Sequence, residues 1–207
     1  MFGNELKDNY EITLYSNSLV ISKRDITIKT LMRSKIYDGI VLTENKVETT
    51  ILSLYQVLDN HHINAITDGA IINVGLKVNK IISHVILDDL DNDVTENYQT
   101  SYELGILEIK QRPITRKSSS DTKVYDGLDF SNKTFLDVNS SLVIGEEIEV
   151  SYNTVINNVN KVSNMLDYTI YNKDYEDVTR NYLISYIEGT LEVMPREITI
   201  KPVDKSK

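Results

Sequence analysis

Apolar and polar residues alternate with a period of two along much of the chain. In Glu11-Ile12-Thr13-Leu14-Tyr15 the two aliphatic side chains point one way and Thr13 the other, as in a strand with one buried face. Leu107-Glu108-Ile109 and Leu191-Glu192-Val193 alternate in the same way. Ile, Val, Thr and Tyr, which suit a pleated, half-buried surface, are spread over the whole length. Gly105 and Gly189 each fall between two such runs. They predict hairpin turns at Glu103-Leu104-Gly105 and Ile187-Glu188-Gly189, with Ser16-Asn17-Ser18 in that place nearer the N-terminus. Strands recurring about every ten residues predict an all-β chain of antiparallel modules, immunoglobulin-like sandwiches in the first instance. Residues 47–58 (VETTILSLYQVL) read equally as a helix, and the module would then be β-grasp-like with one short helix.

The pattern repeats itself. NYEITLYSNSLVISKRDITI (9–28), NYQTSYELGILEIKQRPITR (97–116) and NYLISYIEGTLEVMPREITI (181–200) align without gaps. Asn9-Tyr10, Asn97-Tyr98 and Asn181-Tyr182 open them; Arg24, Arg112 and Arg196 follow at constant distance, then Ile26-Thr27, Ile114-Thr115 and Ile198-Thr199. Lys35, Lys123 and Lys207 come next, and the first two lead into Tyr37-Asp38-Gly39 and Tyr125-Asp126-Gly127. Asp93-Val94-Thr95 and Asp177-Val178-Thr179 precede the second and third Asn-Tyr pairs. The period is 88 residues and then 84, and the difference lies between the Tyr-Asp-Gly and Asn-Tyr signals, where a surface loop absorbs it. This divides the chain into two complete copies, 24–111 and 112–196. Residues 1–23 match only the closing hairpin of a copy, and 197–207 only an opening strand. Such fragments cannot bury a core alone, so frayed or intermolecularly paired ends are expected. No Pro-, Gly- or Ser-rich linker separates the copies, which predicts restrained neighbours and a stiff array.

Tyr-Asp-Gly is turn chemistry. Asp accepts hydrogen bonds from nearby backbone and Gly takes positive φ at no steric cost, so Tyr37 and Tyr125 are expected to lay their rings on the edge of a core. The Asn-Tyr pairs are read in the same structural sense.

The order Lys-x-Tyr-Asp-Gly, Asp-Val-Thr-x-Asn-Tyr, Gly-x-Leu-x-(Ile/Val), Arg-x-Ile-Thr resembles the YDG and MBG repeats of bacterial cell-surface proteins. Lys123, Tyr125, Asp126 and Gly127 carry the first signal; Asp177, Val178, Thr179, Asn181, Tyr182, Gly189, Leu191, Arg196 and Ile198 carry the rest. The resemblance covers nearly the whole chain, although the first of the three Asn-Tyr segments, 9–28, has Ser16-Asn17-Ser18 where the third motif has its Gly. It implies β-rich stalk or adhesin modules on a large secreted or wall-anchored protein, with neighbouring repeats of the same polypeptide as partners. It supplies no catalytic residues.

Charge and composition narrow the chemistry further. A net charge of −9 and a pI near 4.9 argue against nucleic acid and anionic membrane as partners. No window approaches the length of apolar residues that a membrane span needs. The first residues do not read as a signal peptide, so an export signal and an anchor are expected outside this sequence. The absence of cysteine excludes disulfides, thiol catalysis and thiolate metal sites. No phosphate-cradling loop or Gly-x-Ser-x-Gly elbow occurs, and no catalytic residue or cofactor is expected.

The remaining candidates are modest. His61-His62 and His84 lack a third ligand at metal-binding spacing. In the acidic run Asp88-Asp89-Leu90-Asp91-Asn92-Asp93, the residues Asp89, Asp91 and Asp93 are weak calcium candidates, because Val94 and Thr100 stand where an EF-hand loop needs Gly and Glu. Lys35 and Lys123 read as exposed lysines before a turn, or as isopeptide donors in a stalk module. Thirteen tyrosines offer faces to a host glycan or protein, the alternative to a purely structural role.

Overall fold

The computed structural model describes residues 10–203 apart from 12, 14, 50–56, 139 and 140. Asn9, Ile12, Leu14, Lys207 and most of the ambiguous stretch 47–58 therefore lie outside the described residues. The first sequence copy contributes β1 (Arg24–Thr30), β2 (Arg33–Ile36), β3 (Leu42–Thr43), β4 (Val47–Thr49), β5 (His62–Thr67), β6 (Ala70–Ile71), β7 (Gly75–Val78), β8 (Ile81–Leu87), β9 (Tyr98–Glu103) and β10 (Ile106–Lys110). The second contributes β11 (Arg112–Ser118), β12 (Asp121–Val124), β13 (Phe135–Asp137), β14 (Glu147–Asn153), β15 (Asn160–Asn164), β16 (Leu166–Tyr171), β17 (Tyr182–Ile187) and β18 (Gly189–Met194). Single 3-10 turns, Thr95–Asn97 and Thr179–Asn181, lead into β9 and β17. The chain is all-β, with no α-helix among the described residues. The described start of the 47–58 stretch is strand β4.

Strand pairing corrects two expectations. β17 and β18 do not form a hairpin around Gly189, nor do β9 and β10 around Gly105. Instead β11 pairs parallel with β17, Arg112 opposite Tyr182, while β12 pairs parallel with β18, Asp121 opposite Leu191. β17 and β18 thus belong to different sheets, ordered β13-β11-β17 and β12-β18-β15. In the first copy β10 pairs parallel with β2 and antiparallel with β7, and β9 lies beside β1. The sheets are mixed rather than purely antiparallel. Period-two alternation reports which face of a strand is buried and is silent on which strand is its neighbour.

The two glycines therefore sit where paired strands cross together from one sheet to the next. A Cβ on Gly105 would lie 2.5 Å from the carbonyl of Leu31, and one on Gly189 2.5 Å from that of Ser119. The same polar pin closes both crossings. The Thr30 hydroxyl accepts from the Gly105 N–H (2.8 Å) and donates to the Asn79 carbonyl (2.8 Å). The Ser118 hydroxyl accepts from the Gly189 N–H (2.8 Å) and donates to the Asn164 carbonyl (2.6 Å). Asn79 and Asn164 are buried, and their amides donate to the Glu44 carbonyl and to the Ser119 and Asn132 carbonyls. Buried side-chain amides at a strand crossing satisfy carbonyls that the interrupted ladders leave open.

The described residues at the chain ends lie outside the sheets. Among the described residues before Arg24 and after Met194 there is no strand, and Tyr15, Leu19, Ile21, Ile198, Ile200 and Val203 are exposed. The pairing inside each copy supplies the reason. Each opening segment pairs with the closing segment of its own copy, β1–β2 with β9–β10 and β11–β12 with β17–β18. Among the described residues, every such partner is already engaged.

The chain packs as two compact units. One comprises Met1–Ile28, Thr49–Asn64 and Val85–Tyr102; the other comprises Lys29–Glu48, Ala65–His84 and Glu103–Lys207. In the first, Ile26, Ile28, Ile86 and Tyr98 are buried, and Ser101 ties β9 to β1 through Thr27 Oγ1 (2.8 Å) and the Ile26 carbonyl (3.0 Å). The second unit contains a core of Tyr37, Leu42, Leu107 and Ile109 with Ile114, Ile170, Val178 and Tyr182. Four of these residues come from each sequence copy. Burying an aliphatic side chain of this size stabilises by about 1.5–3 kcal/mol, so the boundary at 111/112 runs through a working core.

Candidate functional site

The Tyr-Asp-Gly turns have the same construction in both copies. Gly39 and Gly127 have φ of 74° and 79°. The Asp38 carboxylate accepts from the Ile40 N–H (2.9 Å), and Asp126 accepts from the Leu128 N–H (3.0 Å). The preceding lysine closes the turn. Lys35 Nζ donates to Asp38 and to the Ile40 carbonyl, each at 2.5 Å, and Lys123 Nζ donates to Asp126 (2.7 Å) and the Leu128 carbonyl (2.6 Å). Against the upward push of partial burial, Lys35 and the Ile40 N–H hold the Asp38 carboxyl below its usual range. Lys123, followed by the Leu128 N–H, does the same for Asp126. The lysines are thus folded back onto the turn with largely covered side chains, which replaces the reading of exposed lysines.

What the turn positions differs between the copies. Tyr37 is 3% exposed, whereas Tyr125 is 38% exposed, so only Tyr37 lies in a core and the expectation for Tyr125 is corrected. Both keep the same backbone bond, Tyr37 N to the Lys110 carbonyl and Tyr125 N to the Met194 carbonyl. The difference is the neighbour. Tyr37 packs edge to face on Tyr182, with ring centroids 5.7 Å apart. Its hydroxyl donates to Glu146 Oε1 (2.5 Å), and the Tyr182 hydroxyl donates to Glu146 Oε2. The Val143 N–H donates to the Tyr182 hydroxyl (2.9 Å). Burial, and then the hydrogen bond to Glu146, push the Tyr37 hydroxyl up to about 12 and raise Tyr182 in the same way. Two phenols and one carboxylate form a neutral-donor, charged-acceptor clasp, stronger than a hydrogen bond between neutral groups.

The Asn-Tyr pair extends the clasp. Asn181 is fully buried; its Oδ1 accepts from the Val74 N–H (2.9 Å) and its amide donates to Asn73 Oδ1 (2.9 Å). Gln111 reaches the Arg180 and Tyr182 carbonyls (3.1 and 3.2 Å), and Arg112 the Ser141 carbonyl (3.1 Å). In the other compact unit the equivalent Tyr98 is buried too, but its hydroxyl meets His61 Nδ1 (2.7 Å) and accepts a long bond from the Leu58 N–H (3.4 Å). His61 there occupies the place of Glu146, and Asn97 is exposed where Asn181 is buried.

A second feature belongs to the second copy alone. Arg116, 2% exposed, stands where the first copy has Ile28. It pairs with Asp137, lies 5.4 Å from the Phe135 ring, and keeps Nε and Nη2 without a hydrogen-bond partner. Burial lowers the guanidinium below its ordinary value. It lines a cavity of about 210 Å³ with Tyr168, Tyr186, Asp167 and Glu188, in which Tyr168 and Tyr186 stack at 6.0 Å.

The acidic run folds as a turn. Asp88 Oδ1 accepts from the Leu90 and Asn92 N–H groups (both 2.9 Å), and Asp93 accepts from the Thr95 N–H (2.9 Å). Asn172 and Asp177 do the same in the second copy. Asp91 has φ of 60° and sits 3.7 Å from His62 Nε2. Among the described residues, no three His, Cys, Asp or Glu side chains gather where a metal could be held, and no helix is long and apolar enough to cross a membrane.

Glu146, Asn73, Val74 and the Asn79/Asn164 pair were not indicated by the motifs. A signal existed for the asparagines, which recur 85 residues apart inside the stretch where the spacing shortens from 88 to 84. None existed for Glu146, because its counterpart is His61. No family profile, curated protein or solved structure matches this chain.

Proposed function

We propose that the chain is a spacer segment of a large bacterial surface protein or adhesin, in which serial repeats hold a functional head away from the cell. Its partners are then neighbouring repeats of the same polypeptide, its location is extracellular, and its role is structural rather than catalytic. One observation carries the reading: Tyr37, Tyr182 and Glu146 lock consecutive copies through a common core instead of a flexible linker. A joint of that kind transmits direction from one repeat to the next, which a tether need not do.

The test measures stiffness across the joint. Nitroxide labels at Lys80→Cys and Lys133→Cys lie on different copies within one compact unit, and the chain has no native cysteine to interfere. Pulsed dipolar spectroscopy is expected to give one narrow distance distribution, which broadens in the Tyr37→Ala background. A broad distribution in the parent chain overturns the reading.

The second reading, a module that binds a host glycan or protein, is favoured by the stacked Tyr168 and Tyr186 beside the Arg116 cavity. Aromatic faces and a guanidinium suit sugar recognition. A glycan array in which binding disappears with Tyr186→Ala would select this reading.

A further inference from the structure

Tyr37, Asn73 and Val74 form the surface on which the second copy seats its Asn181-Tyr182 pair. The second copy carries the same three residue types at the equivalent places: Tyr125, Asn158 and Val159. These are identified by structure as well as by sequence. The backbone bond of Tyr125 to Met194 reproduces that of Tyr37 to Lys110. The bridge Phe130 to Ile156 just before Asn158 reproduces the pair Leu42 to Ile71 just before Asn73. Yet Asn73 and Val74 are partly buried, whereas Asn158 is exposed and Val159 is 52% exposed. The Asn158 amide turns to its neighbour Asn157 (2.9 Å) instead of receiving a bond from an incoming asparagine.

The complementary half is also found unmated. Asn97 in the other compact unit corresponds to Asn181 and is exposed, while Tyr98 keeps the buried position of Tyr182. One asparagine type therefore has two environments, and the difference is whether a Tyr-Asn-Val surface covers it.

From this we infer that Tyr125, Asn158 and Val159 form a docking face for the Asn-Tyr face of a further copy of the same repeat in the same polypeptide. The incoming asparagine takes the Val159 N–H and the Asn158 amide oxygen, as Asn181 takes Val74 and Asn73. The incoming tyrosine covers the Tyr125 ring. The residue at the place of Glu146 accepts the Tyr125 hydroxyl. Such a contact is heterologous, so it propagates along a chain instead of closing into a dimer. The inference rests on reading the copies as a serial spacer and names the surface that continues the series.

The test continues the full chain after Arg196 with a second run of residues 113–203, using the equivalence of Arg196 and Arg112. Amide hydrogen exchange is then followed at Val159. In the extended chain Val159 is expected to slow at least tenfold, towards the rate of Val74. Replacing only the added copy's counterpart of Asn181 by Ala should restore the fast rate. As a check on folding, Val74 must remain slow in both extended proteins. An unchanged rate at Val159 in a folded extended chain overturns the inference. So does concentration-dependent slowing in the unextended chain, which would assign the face to a second molecule. The spacer reading fails separately, by a broad spin-label distribution across the existing joint, whatever Val159 does.

Discussion

Tyr37 and Tyr182 come from different copies of the repeat, meet edge to face at 5.7 Å, and donate their hydroxyls to the two oxygens of one carboxylate, Glu146. An aromatic contact and two charge-assisted hydrogen bonds thus coincide at the boundary that the sequence period draws. The arrangement explains why the two Tyr-Asp-Gly turns, alike in geometry, differ in consequence.

The first expected outcome concerns the tyrosines themselves. Tyr37→Ala should cost about 3–5 kcal/mol, the range for emptying an aromatic site in a core. Tyr37→Phe keeps the ring and removes one donor, so about 1–2 kcal/mol is expected. Tyr125→Ala should cost less than about 1 kcal/mol in this chain, because its ring is half-exposed. Urea midpoints of the three variants give the ordering directly, and equal losses at Tyr37 and Tyr125 would contradict it.

Glu146→Gln preserves shape but replaces one acceptor oxygen by an amide nitrogen. One of the two phenol donors then loses its partner in a buried place, at about 1–3 kcal/mol. Double-mutant analysis with Tyr37→Phe should show strong coupling, since the hydroxyl removed is one that Glu146 receives. Additive losses would mean that the carboxylate acts elsewhere.

Alkali should loosen the joint. Burial and Glu146 raise the folded pKa of Tyr37 from 10.0 to about 12. A raised acid stays protonated in the folded state while its unfolded counterpart ionises. Its contribution is therefore complete below about pH 10 and falls as pH rises towards 12, by about 3 kcal/mol over two pKa units. Stability measured from pH 9 to 12 should fall more steeply for the parent than for Tyr37→Phe. Parallel curves would remove Tyr37 from the cause.

At the strand crossings, Gly189→Ala places a methyl 2.5 Å from the Ser119 carbonyl, and Gly105→Ala does the same at Leu31. Backbone must shift at both, so losses on the order of 3 kcal/mol or more are expected. Gly145→Ala meets no atom within 4 Å and has only its φ of 87° to strain, about 1 kcal/mol. Thermal melts of the three variants separate close approach from conformational strain.

Residue order alone was enough for the local features. Alternation along Leu107-Glu108-Ile109 and Leu191-Glu192-Val193 means strands with one buried face, and β10 and β18 bury Leu107, Ile109, Leu191 and Val193. Tyr-Asp-Gly is a turn because an Asp acceptor and a Gly free to take positive φ are local properties that need no distant partner. The period follows from comparison of the chain with itself.

Tertiary structure decided everything that depends on a distant partner. Gly105 and Gly189 look like hairpin glycines because hairpins and sheet crossings share a residue that lets backbones approach; only the parallel pairing of β11–β12 with β17–β18 tells them apart. Asn97 and Asn181 have the same motif around them and opposite burial, since burial depends on what lies across the gap. Glu146 has no recurring counterpart, yet it joins two tyrosines because folding brings the turn after β2 of one copy beside β17 and the residue before β14 of the other, within hydrogen-bond reach. Local chemistry is written along the chain at fixed spacing, whereas a clasp of three side chains exists only once the copies have packed.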